Sequence, residues 1–246
     1  HIEVLCADEA VSADARAKCH TVLKRALKDA VRSRLIERNP ADAVEPPTVE
    51  SDEQRVLTED EVRALRVASD GGRLDGPIRL TLATGLRQGE LLALRWADAD
   101  LDEGVLRIPR GKSSNSRRAI ELSQRTVDLL RVHRQHQREL RVRRGLVWRE
   151  HGLVFPSSVG TPWEANNFYL AYKRVVARSG IANGKTVKWH TLRHTATTHW
   201  LMAGADVYSV SRRLGHASAA FTLNVYGHLL KGMQRQAAEA VDHLIG

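Results

Sequence analysis

Cysteine is scarce: the chain of 246 residues has two, Cys6 and Cys19, both near its start. No disulfide framework and no cysteine-rich zinc site can therefore hold the bulk of it together. No apolar run approaches the roughly 20 residues that cross a membrane. No secretory signal is visible either. Internal repeats and low-complexity tracts are also missing. Secreted, membrane and disulfide-scaffold classes are disfavoured, and a soluble cytoplasmic protein is expected. The sequence opens at His1 where a complete chain would have Met, so a fragment of a longer protein is expected. Its length is that of one large domain or two smaller ones, ample for a core that needs no metal.

What the sequence has in excess is positive charge. Thirty arginines and eight lysines stand against 29 acids, a net charge of +9. The surplus is concentrated. Residues 105–150 hold twelve arginines and Lys112 against Glu121, Asp128, Glu139 and Glu150, so this segment alone equals the surplus of the whole chain. Such a local field favours a polyanion such as nucleic acid, although a solvated basic face explains it equally well.

The hydrophobic pattern divides the chain. Residues 12–37 read as a helix: Ser12 caps it, Val22, Leu23, Ala26, Leu27, Ala30 and Val31 form an apolar stripe, and Asn39-Pro40 stops it. From Pro40 to Gln54, Pro46-Pro47 and five acids read as an extended linker. The main domain then opens with the capping-box pattern Thr58-Glu59-Asp60-Glu61. Helical stretches follow at Ile78–Ala83 and Gln88–Leu94. Val105, Leu106 and Ile108 face Ala119, Ile120 and Leu122 across a polar turn at Gly111–Ser116, a β-hairpin in a small antiparallel sheet. Helices are expected over 124–143, 165–178, 191–203, 207–214, 219–226 and 231–244. The fold class is mostly α with a small antiparallel β-sheet.

Four short stretches can carry chemistry. In Thr84-Gly85-Leu86-Arg87-Gln88-Gly89-Glu90-Leu91, Gly85 permits close backbone approach, and Arg87 at a helix start suits a phosphate. Glu90 lies on the same face and can orient a neighbouring donor. A glycine-bounded turn with an exposed arginine accounts for this stretch just as well. In Arg110-Gly111-Lys112-Ser113-Ser114-Asn115-Ser116-Arg117-Arg118, a turn lysine can donate a proton, or merely be solvated. In Trp189-His190-Thr191-Leu192-Arg193-His194, His190 and Arg193 can face one ligand. The spacing of His190 and His194 also fits zinc, but the intervening glutamate and a third ligand are missing. The fourth, Leu214-Gly215-His216-Ala217-Ser218, precedes Tyr226 by a short helix.

Together these residues match phosphodiester cleavage without a metal. A pentavalent phosphorane carries extra negative charge, which two arginine forks and histidine donors can neutralise. A lysine can protonate the leaving sugar oxygen, and a phenolate can hold the strand end covalently. The phosphotyrosine bond conserves the energy of the broken linkage, so rejoining requires no ATP.

In these motifs and their order, the region from about 55 to 228 resembles the tyrosine recombinases of the phage-integrase type. The resemblance implies the tyrosine-recombinase catalytic fold and site-specific DNA cleavage and rejoining through a 3′-phosphotyrosine. It makes Tyr226 the nucleophile. It places Arg87 and Arg193 on the scissile phosphate, with Lys112 as general acid for the 5′-hydroxyl. His190 then assists proton transfer, His216 hydrogen-bonds the phosphate, and Glu90 supports the site from behind. Arg110, Arg117 and Arg118 are expected on the DNA backbone. No metal or other cofactor is implied. Residues 1–45 resemble the end of a helical core-binding domain, 46–55 a linker, and 56–246 the catalytic domain. Leu229, Leu230, Met233, Ala237, Val241 and Leu244 give the 231–244 helix an apolar stripe, and the resemblance implies a tail that docks on a neighbouring subunit, the alternative being that it folds back on its own domain. The implied partners are double-stranded DNA, three further copies in a homotetramer, and accessory DNA-bending or directionality proteins. The implied location is the bacterial nucleoid. Two rival readings share some of these features. A type IB topoisomerase typically has lysine where this chain has His190. A helix-turn-helix regulator built on residues 203–226 leaves Arg87, Lys112 and Arg193 unexplained.

Overall fold

The computed structural model describes residue 6 and residues 10–48, 55–109, 117–216 and 218–227. The turn carrying Arg110 and Lys112 and the expected helix at 231–244 lie outside the described residues. The chain divides after Gln54 into two compact units.

The first unit is built on α1 (Ala13–Arg32). The Ser12 hydroxyl accepts the Ala15 N–H, and Asp14 sits in the first turn against the positive end of the helix dipole. The helix stops five residues short of the sequence expectation. Arg34 takes a left-handed conformation at φ 57°, and the Leu35 N–H reaches back to the Ala30 carbonyl at 2.9 Å. That closes a Schellman stop without the usual glycine. The expected linker is also shorter at its start, because Pro40–Ala43 form a 3₁₀ turn. Asn39 donates to the Lys24 carbonyl at 3.0 Å, and Lys24 pairs with Asp42 at 2.9 Å, so this turn is tied to α1.

The second unit opens with α2 (Glu59–Ser69), whose capping box closes as the sequence indicates: Glu61 N–H donates to Thr58 Oγ1 at 3.2 Å, and Thr58 N–H to Glu61 Oε2 at 3.1 Å. Then come α3 (Asp75–Thr84) and the short α4 (Gln88–Ala93). The antiparallel sheet follows in the order β1 (Ala99–Asp100), β2 (Val105–Ile108) and β3 (Arg118–Glu121). Leu106 pairs with Ile120 and Ile108 with Arg118. Because successive side chains alternate, Arg118 shares the inward face with Ile120. The rest is helical: α5 (Gln124–Arg144), α6 (Ala165–Arg178), α7 (Trp189–Met202), α8 (Val207–Leu214) and α9 (Ala219–Tyr226). The mostly helical class with its small antiparallel sheet is the one the pattern indicates. Among the described residues no helix is long and apolar enough to cross a membrane.

Helix α7 is the spine of this unit. It is rich in threonine yet buried along most of its length. Two of the hydroxyls are satisfied locally, Thr195 donating to Thr191 O and Thr197 to Arg193 O, both at 2.8 Å. Thr195 Oγ1 also accepts the buried Leu57 N–H at 3.0 Å, across 138 residues of sequence. Around the start of α7, Phe168 and Tyr172 pack edge-on to Trp189 with centroids 4.7 and 4.9 Å apart. A smaller cluster of Leu201, Val210, Leu214 and Tyr226 packs the end of α7 against α8 and α9.

Gly85 fixes how these helices meet. It ends α3 in a left-handed conformation, φ 67°, and a Cβ there would lie 2.8 Å from Leu214 Cδ2 and 3.1 Å from the Trp200 ring. Gly85→Ala is expected to cost about 2–4 kcal/mol through backbone strain and overpacking, read as the shift in the urea midpoint. An unchanged midpoint contradicts this packing.

Candidate active site

The first part of the site follows from the Gly85 turn. It delivers Arg87 to the start of α4, where Glu90 reaches back one turn. The Arg87 N–H donates to Glu90 Oε2 and Arg87 Nη1 to Oε1, both at 2.9 Å. The same carboxylate receives a second arginine from the sheet. Arg118 Nη1 and Nη2 donate to Oε1 and Oε2, again at 2.9 Å. Burial pushes the Glu90 pKa up, but the Arg118 fork and then Arg87 outweigh it and hold the group down at about 2. Arg87 Nη2 continues to the Gly215 carbonyl at 3.2 Å.

Arg193 forms the floor. It is 2 % exposed, on the first turns of α7. Its Nη1 donates to Gly85 O at 2.6 Å and its Nη2 to Leu214 O at 2.8 Å, and Nη2 also lies 3.0 Å from His216 Nε2. Burial, then the charge of Arg87, lowers its pKa to about 9, so it stays a cation at neutral pH. Since a guanidinium only donates, His216 Nε2 accepts, and its Nδ1–H donates to Thr222 Oγ1 at 2.8 Å. This is the neutral ring. Burial, followed by Arg193 and Arg87, holds the His216 pKa at about 4.

Tyr226 completes the group from the last turn of α9. Its hydroxyl hydrogen-bonds His194 Nδ1. Burial keeps the phenol pKa above its usual value, against the opposing pull of Thr197 and Arg193. Burial, then His190 and Arg193, drops the His194 pKa to about 3. The phenol is therefore the donor and the neutral imidazole the acceptor. His190 stands one turn before His194, their rings edge-on at 4.5 Å. It lies on the open side of the cluster, and desolvation of its inner side, then Arg193 and Arg87, lowers its pKa too.

The structure thus draws together Arg87, Glu90, His190, Arg193, His216 and Tyr226, six of the residues singled out in the sequence. Lys112 and Arg110 lie outside the described residues. Arg117 is exposed. Arg118 corrects the sequence expectation: it is not on a DNA-facing surface but 6 % exposed and forked onto Glu90. Strand alternation from Ile120 was the signal that put it inside. His194 was read only as half of a zinc pair, and its place beside Tyr226 was missed. Its position one residue after Arg193 puts it on the neighbouring face of α7, which α9 covers. Three guanidinium groups against one carboxylate, with three histidines held neutral, leave a pocket suited to an anion, with a protonated phenol beside it.

Comparison with known proteins agrees in fold and in sequence. An integrase of the Tn1549 transposon, solved in complex with a circular intermediate DNA, superposes with a TM-score of 0.77 at 20 % identity, covering 95 % of this chain and 81 % of the other. A lambda integrase tetramer bound to a Holliday junction gives 0.64 at 19 % identity, covering 84 % and 60 %. Both likenesses show the fold, a mostly helical one that this chain shares with these two integrases. The sequence is more specific, since the profile of the phage integrase family matches residues 55–233. The chain belongs to the phage integrase family. A tyrosine recombinase XerC-like protein of Caldanaerobacter subterraneus subsp. tengcongensis is 30 % identical over 217 residues. That alignment covers 78 % of this chain and 55 % of the relative, so the chain spans little more than half of that relative's length.

The depressed histidines make stability depend on pH. The unfolded chain takes up protons near pH 6.5, while folded His216 and His194 resist until about pH 4 and 3. Stability is therefore full above pH 6.5 and falls on acidification, by about 1.4 kcal/mol per pH unit for each histidine. Glu90, held near 2, adds loss in the same direction below its unfolded pKa. Urea unfolding between pH 7.5 and 4.5 checks this, with His194→Gln flattening the slope. A level profile contradicts the neutral assignments.

Proposed function

We propose that this chain is the strand-cleaving part of a site-specific DNA recombinase, acting without metal or ATP through a 3′-phosphotyrosine. The observation that carries the reading is the convergence on one pocket of Arg87, buried Arg193, neutral His216 and the Tyr226 hydroxyl, from four separated segments of sequence. The family membership supports it. A phosphodiester entering the pocket meets Arg87 and Arg193 through its non-bridging oxygens, and its charge raises the proton affinity of His216, which on taking up a proton at Nε2 donates to one of them. The Tyr226 oxygen attacks phosphorus, the phenol proton passes to a pocket histidine with His190 assisting, and the bond to the 5′-oxygen breaks. Lys112 protonates that oxygen as it leaves. Reversal by a different 5′-hydroxyl rejoins the strands.

The wider assignments rest on the family. Residues 1–45 are read as the end of a core-binding domain, 46–55 as a linker, and 56–246 as the catalytic domain. Double-stranded DNA is the substrate, which places the protein in the bacterial cytoplasm, at the nucleoid. The tetrameric lambda integrase supports a homotetramer on DNA, with the tail at 231–244 as its docking segment. Accessory bending or directionality proteins complete the assembly.

Incubation with a nicked suicide duplex is expected to leave wild-type protein covalently bound to DNA and Tyr226→Phe free. Adduct formation by both variants, or by neither at high protein concentration, overturns the reading. The general acid is tested separately. Lys112→Ala is expected to slow cleavage of ordinary DNA by about 10²–10⁴-fold, and to leave a 5′-phosphorothiolate substrate, whose leaving group needs no proton, nearly unaffected. Equal losses on the two substrates reject the role.

A further inference from the structure

Arg118 has no part in the chemistry above, yet it touches two of the segments that build the pocket. It stands on the inward face of β3, opposite Ile108. Its two terminal nitrogens grip Glu90, and its Nε donates to Arg213 O at 2.7 Å, at the end of α8. Its guanidinium also packs against Gly215, where a Cβ would come within 2.7 Å of Nη1 and 3.1 Å of Cζ. Gly215 is thus glycine for two reasons, its φ of 65° and the arginine packed on it.

The division of labour around Glu90 is unequal. Each carboxylate oxygen accepts one bond from Arg87 and one from Arg118. The Arg87 side chain is 40 % exposed and open to a ligand, whereas Arg118 is 6 % exposed, with both terminal nitrogens turned onto Glu90 and its Nε onto Arg213 O. A carboxylate that orients a phosphate-binding arginine has a drawback, because it also cancels that arginine's charge. A second, buried arginine on the same carboxylate removes the drawback. With it, Arg87, Arg118 and Arg193 outnumber Glu90 by two charges. Without it the excess is one, and Glu90 is left to pair with Arg87 alone.

We propose that Arg118 is a positioning residue for strand cleavage: its fork neutralises Glu90, so that the carboxylate holds Arg87 in place without quenching the charge Arg87 presents to the phosphate. This rests on the strand-cleaving function proposed above, and it makes a prediction that simple structural support does not. Once Arg118 is gone, the harmful group is the carboxylate. Removing that charge as well then restores activity.

The test is single-turnover adduct formation at saturating suicide DNA, at a temperature where circular dichroism shows each variant folded. Arg118→Gln is expected to slow the step about 100-fold, Arg118→Lys about tenfold or less, and the double variant Arg118→Gln/Glu90→Gln to run about tenfold faster than Arg118→Gln alone. DNA affinity, measured in the Tyr226→Phe background, is expected to change by less than about threefold, since most of it comes from other phosphates. An Arg118→Gln rate within threefold of wild type overturns the proposal, as does a double variant slower than the single one. If Arg118→Gln does not fold, Arg118→Lys and the double variant carry the comparison: a double variant much slower than Arg118→Lys and unable to bind sulfate overturns it. If wild type itself forms no adduct, strand cleavage falls. The positioning role is then read from sulfate affinity of the pocket, expected to weaken about tenfold in Arg118→Gln and to recover in the double variant. Unchanged sulfate affinity in Arg118→Gln overturns it.

Discussion

A buried guanidinium joins the parts of the second unit. Arg193 sits almost without solvent, where an unpaired charge is very costly. It is stabilised by carbonyls at the C-terminal ends of two helices, Gly85 after α3 and Leu214 in α8. These are the negative ends of the helix dipoles, and the cation satisfies carbonyls that have no partner within their helices. One side chain of α7 therefore fixes the Gly85–Arg87 turn and the Leu214–His216 turn relative to that helix. Arg87, His216 and Tyr226 follow from that arrangement. In such surroundings a fixed positive charge acts on an arriving anion more strongly than it does in water.

The other charges are set by the same crowding. His194 and His216 are neutral because burial and neighbouring guanidinium groups make a further positive charge unfavourable. A phosphate entering the pocket reverses that balance, since it offsets the guanidinium charges and raises the proton affinity of the imidazoles beside it. The free pocket thus holds a protonated phenol against an imidazole acceptor, and the substrate's own charge makes that imidazole more basic.

Much of this was legible in the sequence. The hairpin came from alternation in Val105–Ile108 and Ala119–Leu122, and the α2 start from its capping box. The site came from motif order, because each motif alone reads equally well as ordinary surface. What was missed had physical causes. The end of α1 is set by Arg34 in a left-handed conformation, which arginine does not advertise. Arg118 reads as a surface residue in the sequence because it belongs to a basic run. Its neighbour Arg117 is indeed exposed, and only the two-residue period of the strand separates them. The pairing of His194 with Tyr226 depends on how α9 packs across α7, a tertiary fact that local spacing does not encode.

The proposed function has the phenol at the end of α9, and no other hydroxyl, take the DNA. Mass spectrometry of the trapped protein–DNA adduct after trypsin and nuclease digestion measures this directly. The peptide from Leu214 to Lys231 is expected to carry the added nucleotide, with fragmentation placing it on Tyr226. A nucleotide on Tyr208, Tyr169 or any serine contradicts the assignment of Tyr226 as the nucleophile.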